Sequence, residues 1–446
     1  MKEQTLFGTD GIRGASNSLL LNEESMFKLA QILGKIAIRS KHKTVFIGQD
    51  TRESGESIKK ALCLGLNSVG IDACLLGVTP TATLAYLTKK FNACFGIEIS
   101  ASHNPACDNG IKIFDTNGHK ISNHTENIIE HCFFSESYKA EQTNAKITQN
   151  KELIKDYKKH LFDSFRFENK NIKIVIDCAN GAAYELAPEI LNQFGFEITV
   201  INATPNGNNI NLNCGSEYTH TLQKVVKELK ADLGVAFDGD ADRAIFIDEN
   251  GEKIEGEAII ALLAIDLKTR NKLKNNLIAT TIMSSNALDK ALIPYDIKVL
   301  RSDVGDKNVA RLMNDSDINF GGENSGHFIY KPFCTTGDGI MSALKIISLL
   351  LNNKQSMSKM CSFFIPSQQM LFNINVTKKI PLIDLPKTSS LIKSAEDKLK
   401  AHGRLLFRYS GTEMKARLLV ESSTKEECEE IAQKIIMQFN EEISSD

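Results

Sequence analysis

The sequence predicts an α/β protein: three similar mixed α/β domains with mainly parallel sheets, plus a C-terminal α+β domain, around a central cleft. Three observations carry this. Short apolar runs recur in three sets of three with helical periodicity between them, the third run of each set leads into a polar loop, and the tail breaks the pattern. Alternating strands and helices imply mainly parallel sheets, whose ligand sites lie beyond the carboxyl ends of the strands.

The first set covers residues 45–48, 73–76 and 94–99, the second 174–177, 197–200 and 233–237, and the third 277–280, 297–300 and 318–321. The loops that follow are Ser102-His103-Asn104, Asp238-Gly239-Asp240-Ala241-Asp242 and Glu323-Asn324-Ser325-Gly326-His327. Ser102 lies six residues after Gly96, Asp240 six after Gly234 and His327 six after Gly321, so the reactive positions occupy one place in the repeat. The tail reads as a strand at 371–376, a helix at 391–400, strands at 403–408 and 416–421, and an amphipathic helix at 425–439. The polar run between Ser135 and Gln149 is the expected first linker. The expected domains are 1–148, 149–250, 251–365 and 366–446.

With 446 residues, 42% hydrophobic and 24% charged, the chain is long enough for several cores. A net charge of -2 and a pI near 6.5 provide no global basic field, which argues against a nucleic-acid partner and leaves an anionic small molecule open. Ten cysteines without a C-x-x-C pair read as reduced thiols. The start lacks an apolar signal-peptide core, and the longest apolar stretch, 258–265, is far short of a membrane span. The expectation is a cytoplasmic protein with no membrane partner.

Asp238, Asp240 and Asp242 put carboxylates at alternate positions, a spacing suited to a small divalent cation. A calcium hand fails here, because Arg243 stands where the sharp turn needs glycine and the flanks read as strands instead of helices. A solvated acidic turn is disfavoured because clustered carboxylates without a cation repel one another. Ser102 sits in an ordinary turn sequence, and its catalytic reading rests on its company. His103 adjoins it, and Asp108-Asn109-Gly110 is expected to form a tight reversal that returns Lys112 to its side. In the tail, Arg408-Tyr409-Ser410-Gly411-Thr412 offers a guanidinium, hydroxyls and exposed amides on one loop, with Arg417 just beyond, a set suited to phosphate.

Taken together and in order, residues 7–14, 100–105, 238–243, 321–327 and 408–413 resemble the α-D-phosphohexomutase family, most closely its bacterial glucosamine-phosphate branch. The resemblance spans essentially the whole chain. It implies four domains, the first three sharing a fold, and interconversion of glucosamine 6-phosphate and glucosamine 1-phosphate for amino-sugar nucleotide synthesis. By position it makes Ser102 the phosphoryl carrier, and Ser102, Asp238, Asp240 and Asp242 the ligands of one Mg²⁺. It makes Arg13, His103, Lys112, Arg243 and His327 candidates for phosphate positioning and proton transfer. Glu323 and Ser325 would grip sugar hydroxyls, and Arg408, Ser410, Gly411, Thr412 and Arg417 the phosphate that is not reacting. It further implies glucosamine or glucose 1,6-bisphosphate as intermediate and activator, a sugar phosphate as the partner, and a monomer or homodimer.

Three departures from the family pattern stand out: Gln49 where a basic residue is usual, Asn324 in place of glutamine, and Glu217-Tyr218 after Cys214-Gly215-Ser216. None removes a metal or phosphate ligand. The alternatives they leave are a mutase acting on glucose or mannose phosphates and a silent sugar-phosphate binding protein.

Overall fold

The computed structural model describes residues 5–8, 10–38, 42–135, 143–168, 171–399, 403–410 and 414–444. Two compact units emerge, Met1–Ile282 with Ile297–Ser362, and Met283–Asp296 with Phe363–Asp446.

The first unit begins with β1 (Ile12–Ala15) and α1 (Glu23–Ala37), whose start is fixed by the Asn22 side chain accepting from Ser25 N at 2.8 Å. Then come β2 (Thr44–Gln49), α2 (Gly55–Asn67), β3 (Asp72–Val78), α3 (Thr81–Lys90), β4 (Phe95–Ile99), β5 (Asp108–Phe114), α4 (Asn123–Ser135) and β6 (Ile147–Gln149). Their sheet runs β1-β5-β4-β2-β3-β6, parallel from β4 to β6 and antiparallel at β5 and β1. Alternation along β2 sorts side chains to two cores. Val45 and Ile47 pack with Leu29, Leu33, Ile58 and Leu62 of α1 and α2, while Phe46 joins Leu76, Leu84 and Leu87 on the other face.

A second sheet, ordered β10-β9-β7-β8, comes from α5 (Ile154–Ser164), β7 (Lys173–Asp177), α6 (Ala183–Phe194), β8 (Glu197–Ile201), α7 (His220–Leu229), β9 (Leu233–Phe237) and β10 (Ala244–Ile247). The unbroken apolar run of β9 is buried throughout, as befits a central strand covered on both faces. Next are α8 (Gly256–Thr269), β11 (Leu277–Thr281), α9 (Asn286–Leu292), β12 (Lys298–Ser302), α10 (Asp306–Asp315), β13 (Phe320–Gly322), β14 (Phe328–Tyr330), α11 (Gly339–Asn353) and α12 (Met357–Cys361). Their sheet is ordered β12-β11-β13-β14. The same device recurs three times. Each strand that leads into a polar loop is followed by an antiparallel return strand: Gly96 pairs with Phe114, Gly234 with Ile247 and Gly321 with Ile329.

Helix α9 belongs to the second unit, with β15 (Gln368–Asn375), α13 (Pro386–Leu399), β16 (Arg404–Tyr409), β17 (Lys415–Ser422) and α14 (Lys425–Ser444). The sheet order is β15-β17-β16, all antiparallel. Cys428, Ile431, Ala432, Ile435 and Phe439 form the buried stripe of α14, at helical spacing. Glu421, fully buried on β17, accepts from Arg404 Nε at 2.8 Å and from Asn286 N at 3.0 Å, which ties the start of α9 to this sheet.

Two local expectations are corrected. Asp108, Asn109 and Gly110 make no turn; they lie in β5, paired with β1 as well as continuing the ladder to β4, and the chain reverses between residues 100 and 107 instead. Part of the expected linker is a strand, because Ile147–Gln149 finds unsatisfied ladder groups on β3 and pairs with them. Residues 136–142 of that run lie outside the described residues. Among the described residues, no helix is long and apolar enough to cross a membrane.

Asp338 caps α11 by accepting from Met341 N at 2.9 Å, and its carboxylate also receives the Tyr157 hydroxyl of α5 at 2.8 and 2.9 Å. Burial pushes its pKa up to about 6, against these donors. Tyr157→Phe is expected to cost about 1–3 kcal/mol in urea unfolding at pH 7.5. The cost should shrink at pH 5, where Asp338 is protonated; equal losses at both pH values would contradict the account.

Candidate active site

Ser102 follows β4 in the loop that returns to β5, and its backbone is left-handed, with φ at 54°. A serine in this region is held there by its surroundings. Its Oγ donates to Asp238 Oδ2 at 2.6 Å and lies 3.5 Å from His103 Nδ1. Asp238 comes from the corresponding loop after β9. Close docking of the two loops depends on Gly239: a Cβ there would lie 2.4 Å from Ser102 O and 2.9 Å from Ile210 Cδ1.

Lys112 reaches the acidic loop from β5. Its Nζ sits 2.5 Å from Asp240 Oδ2 and 2.6 Å from Asp242 Oδ2, with all three residues buried. The sequence predicts this lysine beside the serine; the structure places it across the aspartates, because a strand position opposite Glu98 aims it there. Thr81 Oγ1 also donates to Asp240 Oδ2, and Thr81 N donates to Asp240 O at 3.0 Å. The third loop joins through His327, whose Nδ1 lies 3.5 Å from Asp242 Oδ1. Ala244 N donates to Gly326 O at 3.0 Å beside it.

The remaining predicted residues of the first unit sit around this centre at one remove. Arg13 pairs with Asp10 and donates to Asn104 Oδ1 at 3.4 Å. Arg243 N donates to Asp238 Oδ1 at 3.1 Å, and its guanidinium lies 3.7 Å from Glu217. Glu323 Oε1 accepts from Gly305 N at 3.3 Å, and Ser325 lies half-buried in the same turn. In the second unit, Arg408 and Arg417 are direct cross-strand partners on β16 and β17, and Ser410 N donates to Lys415 O at 2.8 Å. Gly411 and Thr412 lie outside the described residues.

Several functional neighbours escaped the sequence reading. Asp306, which opens α10 after Gly305, accepts from Lys120 at 2.7 Å and lies 3.4 Å from His327 Nε2. Lys120 also pairs with Asp10. Asp50, Arg52 and Ser100 support the serine loop from beneath, and Asn211 contacts it from the second α/β domain. Asp10 lies inside a motif noted for Arg13, whereas nothing local in the sequence distinguishes Lys120.

Burial is the largest influence on Asp238, Asp242, Lys112, His103 and His327. It raises Asp238 well above the carboxylate range, with Asp242 and Asp240 adding to the rise. Against the same burial, Lys112 and His327 pull Asp242 well below its usual value. Lys112 is held charged by Asp240 and Asp242. Burial lowers His103 to about 4, helped by Arg243 and Arg13, so it is neutral at pH 7. His327 is drawn up to about 9 by Asp242 and Asp306, which outweigh its burial. Gly337 N donates to its Nε2 at 2.8 Å, so in the neutral ring that nitrogen is the acceptor and the Nδ1 proton faces Asp242. A second proton requires the amide contact to give way.

The acidic loop fits a hard divalent cation. Oxygens of Asp238, Asp240 and Asp242 lie within 4.8 Å of one another, and Asp240 Oδ1 is buried without a hydrogen-bond partner. Lys112 and Thr81 occupy the other oxygen of Asp240, leaving this one to face a ligand.

Models of the phosphoglucomutase/phosphomannomutase family match four segments in order: alpha/beta/alpha domain I over residues 4–140, domain II over 151–251, domain III over 255–366 and the C-terminal domain over 371–438. The phosphoglucosamine mutase of Nautilia profundicola is 42% identical over 443 residues, covering 98% of this chain and 100% of that protein. The fold matches a phosphoglucomutase/phosphomannomutase family protein from Burkholderia thailandensis, with a TM-score of 0.84 at 20% identity over 98% of this chain and 97% of that one. It also matches the Aspergillus fumigatus N-acetylphosphoglucosamine mutase solved with GlcNAc-6P and magnesium, with a TM-score of 0.67 at 15% identity over 99% and 97% of the two chains.

Mg²⁺ is expected to raise the thermal midpoint, by the equivalent of about 2.7 kcal/mol when present at a hundredfold excess over its Kd. Asp240→Asn should abolish that rise in differential scanning fluorimetry. An unchanged Mg²⁺ response in the variant would exclude the aspartate loop as the binding site.

Proposed function

Since this chain belongs to the phosphoglucomutase/phosphomannomutase family, the α-D-phosphohexomutases, we propose that it is a phosphoglucosamine mutase. It interconverts glucosamine 6-phosphate and glucosamine 1-phosphate through a phosphoserine at Ser102 and a 1,6-bisphosphate, and so supplies amino-sugar nucleotide synthesis. The observation that carries the mechanism is the Ser102 Oγ donating at 2.6 Å to one carboxylate of a buried three-aspartate cluster. The sugar assignment is supported by the 42% identity to a phosphoglucosamine mutase over nearly the whole chain.

A sugar hydroxyl attacks phosphorus on Ser102; its O–P bond forms as the P–Oγ bond breaks, and its proton passes to a base. The bisphosphate then turns end for end and returns its other phosphate to the serine. Asp238, Asp240, Asp242 and the serine side would hold Mg²⁺, which would supply neutralisation of phosphoryl charge. The protein's own groups do the rest. Lys112 fixes the aspartate loop and adds a permanent cation, while Arg13 and Arg243 bring guanidinium charge to the rim of the serine loop. His103, neutral and 3.5 Å from Oγ, is able to take or return a proton there, and His327 holds one at Nδ1 against Asp242. Glu323 and Ser325 form the sugar-contacting turn.

Arg408 and Arg417 are proposed to hold a phosphate within the second unit. Directly opposite one another on β16 and β17, their two guanidinium forks can share one dianion.

Ser102→Ala is expected to abolish turnover with the fold retained, and intact-mass spectra should show the phosphate adduct in the wild type and not in the variant. Normal turnover in the variant would sink the mechanism. Side-by-side kinetics on glucosamine, glucose and mannose 6-phosphates should rank glucosamine first. Arg408→Ala should raise KM with a smaller fall in kcat, since uniform binding is what it removes; an unchanged KM would refute the phosphate role.

A further inference from the structure

Arg52 is a side chain the mechanism above does not use, yet its guanidinium is committed to the serine loop and to the Asp50 carboxylate beneath it. It is 1% exposed and directs all five of its N–H groups to defined acceptors. Nε donates to Asp50 Oδ2 at 2.8 Å. One terminal nitrogen donates to Pro105 O and, at 2.9 Å, to Asp108 O. The other donates to Ser102 O at 3.0 Å and to Asn104 O at 2.8 Å.

The contacts close into a ring. Ser102 N donates to Ser100 Oγ at 2.9 Å, and Ser100 Oγ donates to Asp50 Oδ2 at 2.6 Å. Asp50 Oδ2 receives Arg52 Nε, and Arg52 returns to Ser102 O. Both peptide groups that flank the serine Cα are thereby fixed. From the second α/β domain, Asn211 Nδ2 adds donors to the same two carbonyls, Ser102 O at 2.8 Å and Asn104 O at 3.0 Å. The residue so held has its φ at 54°, in the region a serine leaves unless its surroundings over-determine it.

We propose that Arg52, through the ring with Asp50 and Ser100, and Asn211, across the domain seam, are positioning residues that hold the Ser102 backbone left-handed and so aim Oγ at the acidic loop. This rests on the serine mechanism proposed above. Held in that geometry, the phosphoryl group is presented to the sugar; when the loop relaxes, Oγ leaves its line with Asp238 and transfer slows, since misplacement of about 1 Å costs roughly 10²-fold.

Arg52→Lys keeps a cation and loses the planar fork. The expected result is a roughly 10²-fold fall in kcat with KM within twofold, and a larger fraction of phosphoserine lost to water in single-turnover mass spectrometry. Hydrogen exchange across residues 100–108 should quicken. Asn211→Ala leaves the ring intact and should show the same pattern about tenfold weaker in kcat, with the thermal midpoint near wild type. If Arg52→Lys fails to fold, Asn211→Ala decides the matter. Wild-type kcat, wild-type partition to water and unchanged exchange in folded variants would overturn the proposal. The exchange measurement needs no turnover, so a wild-type protein without mutase activity would refute the mechanism above while the loop contacts are still judged.

Discussion

The centre of the first unit depends on one buried cation. Lys112 brings a single positive charge to Asp240 and Asp242, in a place where a third carboxylate, Asp238, stands close by. Burying carboxylates costs several kcal/mol each unless charge and hydrogen bonds compensate. Lys112 provides both, and because it rises from β5 of one domain while the aspartates follow β9 of the next, the compensation also fastens two domains together. The residual imbalance falls on Asp238, which burial and its two acidic neighbours raise well above the carboxylate range, and a divalent cation would offset it.

The repeated strand, loop and return strand explains how the cluster is assembled. In each sheet a parallel strand ends in the polar loop and the chain returns antiparallel beside it, with Gly96, Gly234 and Gly321 in matching register. Contacts between successive loops follow: serine to Asp238, Asp242 to His327.

Much of this was legible in the sequence, because it depends on local pattern. All nine apolar runs of the repeats became strands within two residues of their expected limits, since period and β-branched content decide strands locally. The serine and aspartate loops were visible because their chemistry is contiguous. What was not legible is what distant residues do to one another. The Asp108-Asn109-Gly110 triplet has excellent turn chemistry, yet pairing with β1 and β4 overrides it. Arg52 sits three residues after β2 and acts on carbonyls around fifty positions away. Helix α9 reads as one more crossover, and contacts from distant residues, the buried Glu421 of β17 and the Gly403 carbonyl on Asn286, draw it into the second unit.

The three return loops stabilise the same bend by different means. The serine loop, from residue 100 to 107, is the longest and is pinned by a guanidinium; the acidic loop leans on Lys112; the His327 loop is a tight turn closed by Glu323 N donating to His327 O at 3.0 Å. Their strands are copies of one frame, but each loop has its own internal support. The repeats therefore share a frame and differ as tools: a loop transplanted without its particular brace would arrive with its functional atoms and lose their arrangement.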